Sequence, residues 1–124
     1  MEQKFLYCKH CGKIVAVVNE TGVPVKCCGE TMQVLTPNTV EASNEKHLPV
    51  YEREGNLLTV KVGSVAHPME EKHYIQWVSL QTAQGNQRKV LTPDAAPEVK
   101  FLIADDDEVQ AVYAYCNLHG LWKS

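Results

Sequence analysis

Val109-Gln110-Ala111-Val112-Tyr113-Ala114-Tyr115-Cys116-Asn117-Leu118-His119-Gly120 reads as a β-strand that runs into a metal-ligand spacing. Valine and tyrosine recur through its first part, which favours an extended chain. Cys116-x-x-His119 then brings a thiolate and an imidazole within reach of one ion through a tight turn, and Gly120 eases that turn. The segments upstream have the same character. Leu57–Val62 follows a turn at Glu54-Gly55-Asn56, and Gln84-Gly85-Asn86 is a hairpin turn into Arg88–Leu91. Val99–Ile103 is another strand, and the acidic Asp105–Glu108 a solvated turn. In Tyr74–Leu80, strict alternation places Ile75 and Trp77 on one face and Tyr74, Val78 and Leu80 on the other. No window of this region holds a helical apolar period beyond two turns. The fold class is therefore all-β, an antiparallel sandwich over residues 38–124, in which Cys116 to Gly120 closes the chain after its last strand.

Residues 1–37 form a different unit, dense in Cys, Gly and Lys. Ile14–Val18 is a short strand, Thr21–Pro24 a turn and Thr36-Pro37-Asn38 a boundary. A unit below roughly 40 residues usually needs a metal or disulfide to stay folded. Cys8-x-x-Cys11 and the adjacent pair Cys27-Cys28 supply four thiolates, which suit tetrahedral zinc or iron alike. Neighbouring side chains on an extended chain diverge, so Cys27 and Cys28 must curl back, with Gly29 giving the freedom to do so. His10, between two of these cysteines, is expected to be a solvated loop residue.

The chain has 124 residues, 44% of them hydrophobic, and a net charge of −3, so neither nucleic acid nor an anionic membrane is indicated as partner. No stretch approaches the ~20 apolar residues that span a bilayer, and Met1–Cys8 lacks a signal-peptide pattern. Five cysteines make an odd number. With the cytoplasm as the expected location, thiols stay reduced and a disulfide framework is disfavoured.

The second donor group is His47, His67, His73, Cys116 and His119, all at predicted strand ends or loops, where a sandwich gathers its loops into a site. Five protein donors leave one position on a six-coordinate ion, as chemistry requires. Lys46, next to His47, places an ammonium where it would attract a small anion, and Glu45 adjoins it.

Cys8-x-x-Cys11…Cys27-Cys28-Gly29-Glu30 resembles the desulforedoxin-type domain of desulfoferrodoxins. Glu45-Lys46-His47-Leu48-Pro49, His67-Pro68-Met69, His73-Tyr74-Ile75 and Cys116-Asn117-Leu118-His119-Gly120-Leu121-Trp122 resemble the motifs of the superoxide reductase domain, in the family's order. The resemblance implies two iron ions per chain. One sits on Cys8, Cys11, Cys27 and Cys28 in a rubredoxin- or desulforedoxin-like domain of residues 1–37. The catalytic one sits in an immunoglobulin-like sandwich of residues 38–124, with His47, His67, His73 and His119 equatorial and Cys116 axial. It also implies reduction of superoxide to hydrogen peroxide, with Lys46 drawing in the anion and Glu45 closing the sixth position afterwards. A rubredoxin-like electron donor and a homodimer complete the expectation. An electron carrier, a zinc-stapled binding module and a superoxide dismutase are the competing readings, separable by superoxide consumption, metal content and oxygen evolution.

Overall fold

A computed structural model describes residues 2–124, and the chain divides into two compact units, Met1–Thr36 and Pro37–Ser124.

In the smaller unit, β1 (Lys4–Tyr7) lies between β2 (Ile14–Val17) and β5 (Gln33–Val34), and β3 (Lys26–Cys27) pairs with β4 (Glu30–Thr31). One apolar cluster there joins Leu6, Cys8 and Met32, with Val15, Val17 and Cys27 against it, and Phe5 is buried as well. So small a cluster offsets little chain entropy, and the unit depends on a cross-link among its cysteines.

The larger unit is an antiparallel sandwich of immunoglobulin-like form, with three strands facing four. One sheet runs β10 (Glu98–Leu102), β7 (Leu57–Val62), β6 (Pro49–Glu54). The other runs β12 (Gly120–Lys123), β11 (Val109–Cys116), β8 (Ile75–Thr82), β9 (Asn86–Val90). Alternation decides what faces inward. Leu58, Val60 and Val62 from β7, Val99 and Phe101 from β10, and Val112, Ala114 and Cys116 from β11 share the core. Cys116 is the last member of its inward stripe, so the period of the strand itself delivers the thiol to the end of the core.

At the open margin of the sandwich, β9 side chains cover backbone acceptors of β10. Gln87 Nε2 donates to Leu102 O at 2.8 Å, and Lys89 Nζ donates to Lys100 O while lying over the Phe101 ring. The charged and polar positions of β9 thus shield an edge that would otherwise invite another strand.

The structure corrects two expectations, on the face of Ile75 and on the end of the chain, and adds two elements. Ile75 is fully buried in the core beside Val78 and Leu80, and does not share a face with Trp77. The β8–β11 register slips between Tyr115↔Trp77 and Cys116↔Ile75, and this bulge inverts the phase of β8 below Trp77. The chain does not close after β11, because Gly120–Lys123 returns as β12. Pro49–Glu54, unassigned from sequence, is an edge strand paired along β7. Asn44–His47 forms one helical turn, α1, too short to leave a periodic signature.

Phe101→Ala removes a ring with no solvent exposure from the centre of this core. It is expected to cost ~3–5 kcal/mol of stability. Urea titration followed by tryptophan fluorescence measures it, since both tryptophans, Trp77 and Trp122, lie in the larger unit.

Candidate metal centres

The five site residues of the larger unit arrive on four separate segments. His47 ends α1, His67 and His73 come from the connection between β7 and β8, Cys116 ends β11, and His119 sits in the turn into β12. The loop after β7 sets the height of α1. A Cβ at Gly63 would stand 2.6 Å from Glu45 O and 2.8 Å from Leu48 O, so only glycine lets the two backbones meet. Val65 N and Ser64 Oγ both donate to Glu45 O, at 2.9 and 3.2 Å, and fix the turn there.

The four imidazoles form a closed ring. Centroids of His47 and His67 are 4.7 Å apart, His67 and His73 4.7 Å, His73 and His119 5.1 Å, and His119 and His47 4.9 Å. Interplanar angles of 74°, 83°, 75° and 88° make each ring nearly perpendicular to the next, like blades around a hub. The donor atoms of these four and of Cys116 all lie within 4.8 Å of one another.

The hydrogen bonds fix which nitrogens face the hub. His47 Nδ1 lies 2.6 Å from Ser43 O and His67 Nδ1 lies 2.6 Å from Pro68 O. A carbonyl only accepts, so both Nδ1 atoms carry the proton and both Nε2 atoms are bare lone pairs. Yet these two Nε2 atoms are 3.2 Å apart. No hydrogen lies between them, so the pair is repulsive unless a cation joins it. His73 Nε2 is buried with no hydrogen-bond partner, a second atom that calls for one. His119 Nδ1 is 3.1 Å from His47 Nε2 and 3.8 Å from Cys116 Sγ. Imidazole nitrogens in adjacent positions on one ion stand about 3 Å apart, because metal–nitrogen bonds run near 2.0–2.1 Å. The donor set fits a single first-row metal with four nitrogens and one sulfur.

Protonation supports this fit. Burial is the main force lowering the His47 pKa. The Ser43 carbonyl opposes it, while His119, His73 and the Lys46 ammonium lower it further. Burial likewise brings His67 down to about 4, against the Pro68 carbonyl that raises it. Neutral imidazole is the form that binds metal. Burial raises the Cys116 thiol pKa, and backbone N–H groups of Leu118 and His119 pull it back. Trp122 stacks on His47 at 4.9 Å and donates its Nε1–H to His119 O at 3.1 Å. Its place next to the Cys116–Gly120 stretch was the only sequence signal for this supporting role.

In the smaller unit, Cys8, Cys11, Cys27 and Cys28 converge within the same limit of 4.8 Å. Cys11 Sγ is 3.6 Å from Cys27 Sγ, and Cys27 Sγ is 4.0 Å from Cys28 Sγ. Thiolates sharing a tetrahedral ion stand about 3.8 Å apart, whereas a disulfide needs about 2.05 Å. Cys28 takes a φ of +52° and Gly29 one of +77°, and this left-handed pair curls the chain so that both cysteines face inward. The backbone N–H of Cys11 is the largest of several donors that pull Cys8 down to about 6. Crowding by Cys11 first, then Cys8, raises Cys27 and pushes Cys28 up to about 12. Four such thiols ionise together only around a cation. His10 is exposed, as expected, and pairs with Glu30 at 3.1 Å beside Lys9 at 3.2 Å.

Lys46 and Glu45 are exposed on α1, directly before the buried His47. The ammonium of Lys46 is the smallest of the contributions that lower the His47 pKa.

Residues 39–124 match the family model described as Desulfoferrodoxin. Over 117 residues the chain is 47% identical to desulfoferrodoxin of Nitratidesulfovibrio vulgaris, covering 94% of this chain and 91% of that one. It is 48% identical to the desulfoferrodoxin homolog of Archaeoglobus fulgidus, covering 94% and 92%. Among solved structures it is similar to the superoxide reductase of Treponema pallidum, with 43% identity, a TM-score of 0.85 and coverage of 100% and 99%.

The depressed His67 pKa has a consequence for the metal-free protein. Between pH 6.5 and about 4 the unfolded chain binds a proton at His67 that the folded chain refuses. Stability is therefore complete above pH 6.5 and falls as pH drops through this window. Urea midpoints of the apoprotein across pH 4–8 should show the fall, and His67→Gln should flatten it.

Proposed function

The chain belongs to the desulfoferrodoxin family, and from that premise we propose that it is a superoxide reductase carrying two iron ions. One observation carries the reading: four imidazoles ringed around one point, with the Cys116 thiol within reach of it and Lys46 exposed beside it. The reaction takes one superoxide, one electron and two protons to one hydrogen peroxide, and releases no oxygen. Iron held by His47, His67, His73, His119 and Cys116 would supply the one-electron reduction.

The remaining work falls to the chain. The Ser43 and Pro68 carbonyls lock the tautomers of His47 and His67, so two nitrogens stay ready as donors. Backbone N–H groups of Leu118 and His119 stabilise the Cys116 thiolate. Lys46 would draw the anion toward the site, and Glu45, beside it on the exposed part of α1, would offer a carboxylate there once the product has left. The donor set of Cys8, Cys11, Cys27 and Cys28 holds the other iron and cross-links the smaller unit. On this reading residues 1–37 are the desulforedoxin-like domain and residues 38–124 the catalytic domain. We further propose that a rubredoxin-like carrier returns the electron and that the chain acts as a cytoplasmic homodimer. The first and last of these rest on the family resemblance, and the cytoplasm on five cysteines of which none is in a disulfide. Among the described residues no helix is long and apolar enough to cross a membrane.

The reading is tested by mixing the reduced, iron-loaded protein with superoxide. One peroxide should form per superoxide consumed, with no oxygen evolved and with reductant required for turnover. Oxygen evolution without reductant would identify a dismutase instead. Lys46→Ala should slow superoxide capture by about tenfold or more and flatten its dependence on ionic strength. Stopped-flow rates across salt concentrations measure both, with iron content unchanged. Cys11→Ser should abolish the visible absorption of the four-cysteine iron and destabilise the smaller unit. Reduction of superoxide by the other iron should persist.

A further inference from the structure

Asn117 lies between two donors, Cys116 and His119, and its side chain points to neither. Its amide reaches across to the segment that carries His73. Nδ2 donates to Lys72 O at 2.9 Å, and Oδ1 accepts from Tyr74 N at 3.0 Å. The backbone N–H of Asn117 donates to Tyr74 O at 3.3 Å. His73 itself exchanges two backbone hydrogen bonds with Glu70, at 2.9 and 3.0 Å. Five consecutive backbone groups, from Lys72 O to Tyr74 O, are thereby engaged, and Asn117 holds three of them.

The topology explains why a side chain is needed here. The β8–β11 ladder ends at Cys116↔Ile75, just past a register slip. Beyond that point β11 turns away toward His119 and has no strand residues left to hold the His73 segment. The Asn117 amide takes over as two further rungs. Its planar group offers one donor and one acceptor side by side, matching a carbonyl and an N–H on either side of one residue. Aspartate lacks the donor, and alanine lacks both.

We infer that Asn117 is a positioning residue that ties the Cys116–His119 arm to the His73 arm, so that thiolate and imidazole keep a fixed relation around the same ion. The inference rests on the metal-binding reading above. His73 has no hydrogen-bond partner at Nε2, so the ring gains no orientation from that atom. Apart from edge contacts with the His67 and His119 rings, its placement comes from its backbone, and Asn117 holds that backbone on both sides. Substitutions of groups that orient metal ligands typically cost about 10–100-fold in metal affinity or activity.

The test compares Asn117→Ala with Asn38→Gly in the full-length, iron-loaded protein. Asn38 makes a similar two-bond clamp, donating to Lys123 O at 3.1 Å and accepting from Lys123 N at 2.9 Å. Glycine there loses both bonds yet keeps the φ of +61°. Both variants should lower the melting temperature. Only Asn117→Ala should shift the sulfur-to-iron absorption band and speed iron release to a chelator, by about tenfold or more. Should Asn117→Ala fail to fold, Asn117→Asp keeps the acceptor for Tyr74 and sets a carboxylate oxygen against Lys72 O, and should show the same two changes. A folded variant with an unchanged band and a release rate within about twofold of wild type would overturn the inference. So would a loss of folding in both substitutions, which would make the role structural. A wild-type protein that binds iron with no sulfur-to-iron band would defeat the reductase reading instead, while the ratio of release rates would still judge the clamp.

Discussion

Two imidazole nitrogens without a hydrogen between them stand 3.2 Å apart in the buried end of the sandwich. That repulsion is the constraint around which the larger unit is built. Carbonyls of Ser43 and Pro68 enforce it by fixing the proton on the far side of each ring. The close meeting of Gly63 with α1 and the core stripe ending in Cys116 hold the remaining donors against it. Folding assembles an arrangement that is unfavourable alone and becomes favourable when a cation enters. Binding energy spent on relieving that repulsion is folding energy, so occupancy of the site and stability of the unit are coupled.

The same logic separates the two centres. In the smaller unit the apolar cluster is slight and Cys11 and Cys28 are exposed, so the cross-link among its cysteines carries the structure. In the larger unit eleven residues of the core have no more than 3% exposure, and the sandwich is well packed around its donors. Its ligands sit at the ends of elements that the core already holds in place. One centre makes its domain, and the other is made by its domain.

The donor residues were legible in the sequence because cysteine and histidine are chemically specific and their spacings are short. Cys8-x-x-Cys11 and Cys116-x-x-His119 act through local turns, and a local turn can be read from neighbouring residues. The curl at Cys27-Cys28 could be demanded in advance, and the left-handed φ of Cys28 and Gly29 supplies it. The phase of β8 was not legible. Alternation put Ile75 beside Trp77, and a bulge defined only by pairing with β11 moved it into the core. Asn117 escaped for the same reason: its partners at Lys72 and Tyr74 are more than forty residues away, and nothing local marks the amide as a clamp. Helix α1, at one turn, owes its form to the Glu45 carbonyl contacts with Ser64 and Val65. Long-range pairing decided each feature that local pattern missed.

Charge explains why donors of such different kinds belong in one chain. Four thiolates around a divalent iron leave the smaller site doubly negative, which repels an anion. Four neutral imidazoles and a single thiolate around the same ion leave one net positive charge. Burial disfavours the protonated form of His47 and His67, so proton uptake at these two rings does not add to that charge. The exposed Lys46 ammonium, directly before His47 on α1, has the same sign. A chain with a net charge of −3 thus presents a locally positive target to a small anion at one end of its sandwich. The choice of histidine over cysteine at four positions decides which iron an anion can approach, before any difference in redox potential enters.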